Sequence, residues 1–177
     1  MKELIYDKAR FDYSRLEMNI EGKAYGACSF VLNGMTVQQR VSKITPTKSG
    51  QFVAIWKRNK DGKTVPFDYT DDFDFIIITA RNDEKLGQFI FPKSILAEKG
   101  IITREGKEGK RGIRVYPPWD IVSNKQAEKT QRWQLRFFLT VKNDNTTDIV
   151  FLKSLLFNRS SSLFFALFCV NLCELCV

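Results

Sequence analysis

The chain reads as an α/β (α+β) domain built on strands covered on both faces. Phe73, Phe75, Ile76, Ile77 and Ile78 form a near-continuous apolar run, and so do Phe89, Ile90 and Phe91. A half-exposed strand alternates apolar with polar residues, so the strands predicted over 72–79 and 87–91 lie in the interior. Asn33-Gly34 stands between the strand-like runs 25–32 and 35–43 and marks an N-terminal β-hairpin, because both turn residues must reach positive φ. Residues 123–139 carry the clearest helical pattern.

Taken in order, residues 2–19 mix charge with Leu4, Ile5, Phe11, Leu16 and Met18, which suggests one or two helical turns packed on the body. After the hairpin, residues 44–50 form a loop. Residues 51–57 form a third apolar strand that runs into Lys57-Arg58-Asn59-Lys60-Asp61-Gly62-Lys63, where Asp61-Gly62 marks a tight turn. The two central strands are joined by the polar turn Arg81-Asn82-Asp83-Glu84-Lys85. Pro92 cannot donate a ladder hydrogen bond, so it ends the second of them and opens a short helix, 92–98, closed by Gly100.

A basic loop follows over 103–112. It lacks the G-x-x-x-x-G-K-[ST] order of a P-loop, yet Lys107, Lys110, Arg111 and free backbone N–H groups can hold phosphates. Residues 113–116 resume a strand that Pro117-Pro118 terminates. Ser123 is placed to cap the long helix, with Gln126 in capping-box position. Lys125, Lys129, Arg132 and Arg136 are spaced 4, 3 and 4 apart and form one basic stripe. Such a stripe is either a solvated helix face or a surface that tracks phosphates. Residues 147–157 read as a short last helix.

The size suits a single domain over 1–157, followed by an atypical hydrophobic tail over 158–177. Leu163–Val170 is almost wholly apolar, but its 8 residues fall far short of the ~20 that span a bilayer. Cys169, Cys173 and Cys176 crowd that tail, while the body holds Cys28 alone. A disulfide framework is therefore not expected. With no signal-peptide pattern, the reading is a cytoplasmic protein without a membrane span.

Charge and chemistry narrow the function. The chain has 28 Lys+Arg against 20 Asp+Glu, a net +8, which favours a polyanionic partner, with nucleic acid first. It has no histidine, which excludes Ser-His-Asp and Cys-His catalysis and His-ligated zinc. Any metal site in the body would use oxygen ligands and suit Mg²⁺ or Mn²⁺. Asp71, Asp72 and Asp74 open the first central strand, and Lys93 follows the second. These are either a metal-dependent nuclease site, the remains of one, or a solubilising strand start.

Several stretches together resemble the MepB family. They are Ile44-Thr45-Pro46-Thr47-Lys48, Trp56-Lys57-Arg58-Asn59-Lys60, Pro66-Phe67-Asp68-Tyr69, Asp71-Asp72-Phe73-Asp74, Gly87-Gln88-Phe89-Ile90-Phe91-Pro92-Lys93, Gly109-Lys110-Arg111-Gly112, Tyr116-Pro117-Pro118-Trp119 and Thr130-Gln131-x-Trp133-Gln134. The family's namesake is a small bacterial protein encoded beside a multidrug efflux pump. The resemblance covers roughly 20–157; the tail departs from it.

It implies a mixed central sheet flanked by helices, like the PD-(D/E)xK nucleases, with nucleic-acid binding and an incomplete catalytic set. The residues agree on the last point. Such a nuclease needs an acid-x-Lys on the second strand so that carboxylates hold Mg²⁺. Two residues before Lys93 stands Phe91, with Pro92 between, and Gln88 is a poor substitute for an acid.

The expected function is thus non-catalytic binding of RNA or single-stranded DNA in preference to duplex, with a link to antimicrobial response. The expected surface is Lys57, Arg58, Lys60, Lys93, Lys110, Arg111, Arg114, Lys125, Lys129, Arg132 and Arg136, with Tyr116 and Trp119 either stacking on bases or packing. No catalytic residue, metal or cofactor is assigned. The rivals are an active Mg²⁺-dependent nuclease using Asp72, Asp74 and Lys93, and a regulatory module that binds another protein.

Overall fold

The computed structural model describes residues 5–19, 24–83, 85–142 and 147–157; the tail from 158 lies outside them. The strands are β1 (Tyr13–Met18), β2 (Cys28–Leu32), β3 (Met35–Val41), β4 (Lys43–Ile44), β5 (Gln51–Ala54), β6 (Trp56–Arg58), β7 (Thr64–Pro66), β8 (Phe75–Asn82), β9 (Lys85–Pro92), β10 (Gly112–Val115) and β11 (Phe138–Val141). The helices are α1 (Lys93–Glu98), α2 (Lys125–Gln134) and α3 (Ile149–Phe157).

Six strands form one mixed sheet in the order β1-β2-β3-β8-β9-β11. The β3–β8 pair is parallel and the other pairs are antiparallel. Two smaller groups sit beside it, a three-stranded sheet β10-β5-β4 and the hairpin β6-β7.

The predicted hairpin is β2–β3, with Leu32 opposite Met35 and φ of 49° at Asn33 and 79° at Gly34. The two apolar runs are the centre of the sheet. Phe75 to Ala80 and Phe89 to Phe91 are buried without a break. Burial of each Phe or Ile contributes about 1.5–3 kcal/mol. On one side Phe91 meets Trp133 and Phe137, with ring centroids 5.3 and 6.0 Å away. On the other, the Tyr6 hydroxyl donates to Gln88 Oε1 (3.2 Å), and Gln88 Nε2 donates to Thr79 Oγ1 (3.2 Å). Pro92 caps α1, and Gly100 beyond it has φ +61°.

Four local expectations are corrected. First, β8 starts at Phe75 rather than Asp72, because the Asp71 and Asp74 carboxylates bond to backbone N–H groups and shape the approach to the strand. Second, the strand predicted over 51–57 breaks at Ile55 into β5 and β6, which belong to different sheets. Ile55 is buried there, and its N–H donates to the Arg111 carbonyl (2.9 Å).

Third, the one or two helical turns expected within 2–19 are confined to the first part of that stretch. Its turn buries Ile5, Tyr6, Ala9 and Phe11, and the chain then forms the edge strand β1. Fourth, the long helix is capped by Asn124, whose side chain accepts from the Ala127 N–H (2.8 Å), and not by Ser123. It ends at Gln134, passes through a 3₁₀ turn (Leu135–Phe137), and becomes β11.

The open edge of β9 explains that last change. Phe138 to Val141 supply the missing ladder partner, and a free sheet edge outweighs helix propensity. Gly87 makes the pairing possible, since a Cβ there would stand 2.2 Å from Phe138 Cζ and 2.8 Å from the Leu139 oxygen.

Candidate functional site

The acids before β8 hold loops together. The Asp71 carboxylate pairs with the Lys57 ammonium, and its Oδ2 accepts from the Asp68 N–H (2.8 Å). The Asp71 carbonyl accepts from Lys93 Nζ. Asp74 is tied to the start of β3 at two points: its N–H donates to the Thr36 carbonyl (2.8 Å), and its Oδ2 accepts from the Thr36 N–H (3.0 Å). The Asp74 carbonyl accepts from the Lys93 N–H (2.9 Å), which fixes the start of α1. Asp72 is exposed.

Asp68 sits well below the usual carboxylate range. Its oxygen accepts from both the Thr70 N–H (2.9 Å) and hydroxyl (2.7 Å), and Lys57 and Lys93 add attraction.

On β9, Phe91 stacks along Phe89 at 5.5 Å and has no exposed surface. Gln88 is equally enclosed and bonded within the core. Among the described residues no three acid or cysteine side chains come together as metal ligands would.

Lys93 nevertheless opens on a cleft of about 540 Å³. Tyr69, Asp74, Glu98, Lys99, Trp133 and Arg136 also line it. Lys93 Nζ lies 4.8 Å from the Phe73 ring centroid and 5.5 Å from that of Tyr69. Arg104 stands 5.0 Å from the same Tyr69 ring, and Lys99 lies 5.8 Å from the Trp133 ring. Lys99 also pairs with Glu98 (2.7 Å). The cleft therefore combines cations with two part-exposed aromatic faces, a surface able to hold phosphate and base together.

The other predicted residues are dispersed. Of the α2 stripe, Lys125, Lys129 and Arg132 are exposed, and Arg136, on the 3₁₀ turn, is the one that reaches the cleft. Lys57, Arg58 and Lys60 lie on the β6–β7 hairpin, where Arg58 donates to the Gly62 carbonyl. Lys110 is exposed in the basic loop. Arg111 bonds the Thr64 carbonyl (3.1 Å) and pairs with Glu108 (2.9 Å).

Arg114 is a structural clamp. Its Nη1 donates to the Gly50 carbonyl (3.0 Å) and its Nη2 to Thr45 Oγ1 (2.9 Å), fixing the loop over 45–50. The Tyr116 ring lies against Gly50, and Trp119 stands edge-on to Phe138 at 5.4 Å with its Nε1 enclosed.

Sequence reasoning missed Tyr69, Lys99 and Trp133 at the cleft, although the family motifs included Tyr69 and Trp133. Those motifs also contain residues with a packing duty. Gln134 is buried on α2; its Oε1 accepts from the Tyr116 N–H (2.9 Å) and its Nε2 donates to the Arg114 carbonyl (2.9 Å). It thereby acts as a strand partner for the edge of β10. Gln131 Nε2 donates to the Pro117 and Asp120 carbonyls, both at 3.1 Å.

The fold and cleft define a mixed-sheet α+β protein with a basic, aromatic-lined groove beside the central strands. The model of the MepB-like family matches residues 19–140, and the chain belongs to that family. The crystal structure of MepB is similar to it, with a TM-score of 0.70 and 36% sequence identity, covering 72% of this chain and 86% of that one. No curated protein matches. Among the described residues no helix is long and apolar enough to cross a membrane.

Proposed function

We propose that this protein binds nucleic acid without cutting it, on a degenerate PD-(D/E)xK nuclease-like fold, with RNA and single-stranded DNA preferred over duplex. The observation that carries the reading is the pairing of Lys93 and Arg136 in one cleft with a sealed Phe91 where the nuclease pattern needs an acid. A phosphodiester needs cations to be held, but a two-acid Mg²⁺ site to be hydrolysed in this way. Tyr69 and Trp133 favour unpaired bases, whose faces are free to stack.

The deciding experiment is a competition titration of RNA, single-stranded DNA and duplex at two salt concentrations. Single strands should win, and affinity should fall steeply with salt. A salt-independent isotherm refutes the reading.

A nuclease remains the second reading, because Asp74 and Lys93 line the same cleft. Cleavage of labelled single strands in Mg²⁺ or Mn²⁺, abolished by Asp74→Ala, would establish it instead.

A further inference from the structure

Arg40 lies on β3, in the strand that also carries Met35 and Val37, and it is only 4% exposed. Removing a guanidinium from water costs several kcal/mol unless a carboxylate and full hydrogen bonding offset it. Among the described residues no carboxylate pairs with Arg40. Among the described residues its one side-chain hydrogen bond runs from Nη1 to the carbonyl of its neighbour Gln39 (2.7 Å), and its Cζ lies 5.6 Å from the Phe67 ring. A guanidinium has five N–H donors. Among the described residues, the buried side-chain nitrogen or oxygen left without a partner is Trp119 Nε1. The unbonded nitrogens of Arg40 therefore still touch solvent.

Arg40 lines a cavity of about 270 Å³ between β3 and the β5–β6 break. Its walls include Asn19, Tyr25, Trp56, Lys57 and Arg58, while Ala27 and Ala54 leave the space open. No acid lines it. Lys57 is shared with Asp71, but Arg40 keeps its full charge to offer. Burial also pushes the Arg40 group down to about 10, the direction expected of a cation held without a counter-ion. At neutral pH it is still charged.

We propose that this cavity is a binding site for a phosphomonoester, with the buried Arg40 fork on the phosphoryl oxygens and the Tyr25 and Trp56 rings beside the attached group. A guanidinium presents two parallel donors that match phosphate oxygens, and a dianion offsets more than one of the surrounding cations. The volume lies just under the ~300 Å³ where small-molecule sites begin, so it takes the phosphoryl end of a ligand rather than a stretch of polymer. The same chemistry is offered by a free nucleotide and by the 5′-terminal phosphate of a strand. The proposal stands apart from the reading of the cleft, since the two sites share no lining residue.

The test is calorimetric titration of the full chain, at matched ionic strength, with AMP, adenosine and inorganic phosphate. AMP should bind at least 10-fold tighter than adenosine, and phosphate should compete with it. Arg40→Met should remove that preference while leaving the melting temperature equal or higher, because it deletes an uncompensated buried charge. A purely structural Arg40 would give the opposite, a lower melting temperature with the AMP preference intact. Equal binding of AMP and adenosine by the native chain overturns the proposal, whether or not Arg40→Met folds. Paired 5′-phosphorylated and 5′-hydroxyl oligonucleotides then identify the source: a preference for the former assigns the strand terminus, and none assigns the free nucleotide.

Discussion

Lys57 and Asp71 join the β6–β7 hairpin to the loop that leads into the central strand β8. The Asp71 carboxylate also accepts the Asp68 N–H, so this acid is engaged in holding a turn. Asp71→Ala should therefore destabilise the fold by about 1–3 kcal/mol, the usual cost of leaving hydrogen-bonded and charged partners unsatisfied. Urea denaturation measures this. The same variant should bind single strands no more weakly, since it removes a negative charge; a loss of affinity in a stably folded variant would contradict the assignment.

Lys93 and Arg136 share the cleft, whereas Arg114 is committed to the loop over 45–50. Lys93→Ala and Arg136→Ala should each lower the slope of log affinity against log salt by about 0.7–0.9 for single strands or duplex, as one phosphate contact is lost. Arg114→Ala should leave the slope unchanged and lower stability instead. Fluorescence anisotropy across a salt series distinguishes these outcomes.

Gln134 satisfies two backbone groups on either side of Val115. Gln134→Leu keeps much of the volume but strands the Tyr116 N–H and the Arg114 carbonyl, at about 1–3 kcal/mol for each buried group. Hydrogen exchange at Tyr116 should accelerate in the variant. Unchanged protection there would show that α2 does not hold this edge.

Tyr6 is enclosed beneath the sheet, and desolvation pushes its hydroxyl well above the ordinary tyrosine value, although the bond to Gln88 works the other way. A group whose folded pKa is raised contributes stability in full below its unfolded pKa and loses it as pH rises towards the folded value. The stability difference between the native chain and Tyr6→Phe should therefore be constant below about pH 9. It should then fall by about 1.4 kcal/mol per pH unit above ~10, where the unfolded phenol ionises. Taking the difference removes the opposite contribution of Arg40, whose lowered value favours the native state as pH rises above about 10 towards the ordinary arginine range. A difference that stays flat to pH 11 would contradict the burial of this hydroxyl.

Some of this was legible in local patterns. Asn33-Gly34 demands positive φ wherever it lies, unbroken apolar runs demand cover on both faces, and Pro92 ends a ladder whatever surrounds it. That Phe91, and no acid, stands two residues before Lys93 is fixed by the sequence whatever the fold. Other features depended on partners far along the chain. The stretch from Phe138 to Val141 carries apolar residues that fit a helix as well as a strand, and the unpaired edge of β9 decided between them. Asp71, Asp74 and Arg114 read as possible site residues until the backbone groups that hold them came close.

What the sequence by itself determined was therefore the central strands, the hairpin, the basic balance and the apolar Phe91 before Lys93, all set by side-chain chemistry and short-range backbone preference. Only the tertiary structure decided which charges stay open to a ligand. It joined Lys93 with Arg136 and enclosed Arg40 with no paired acid among the described residues, because a charge's partners are chosen by distance in space rather than along the chain.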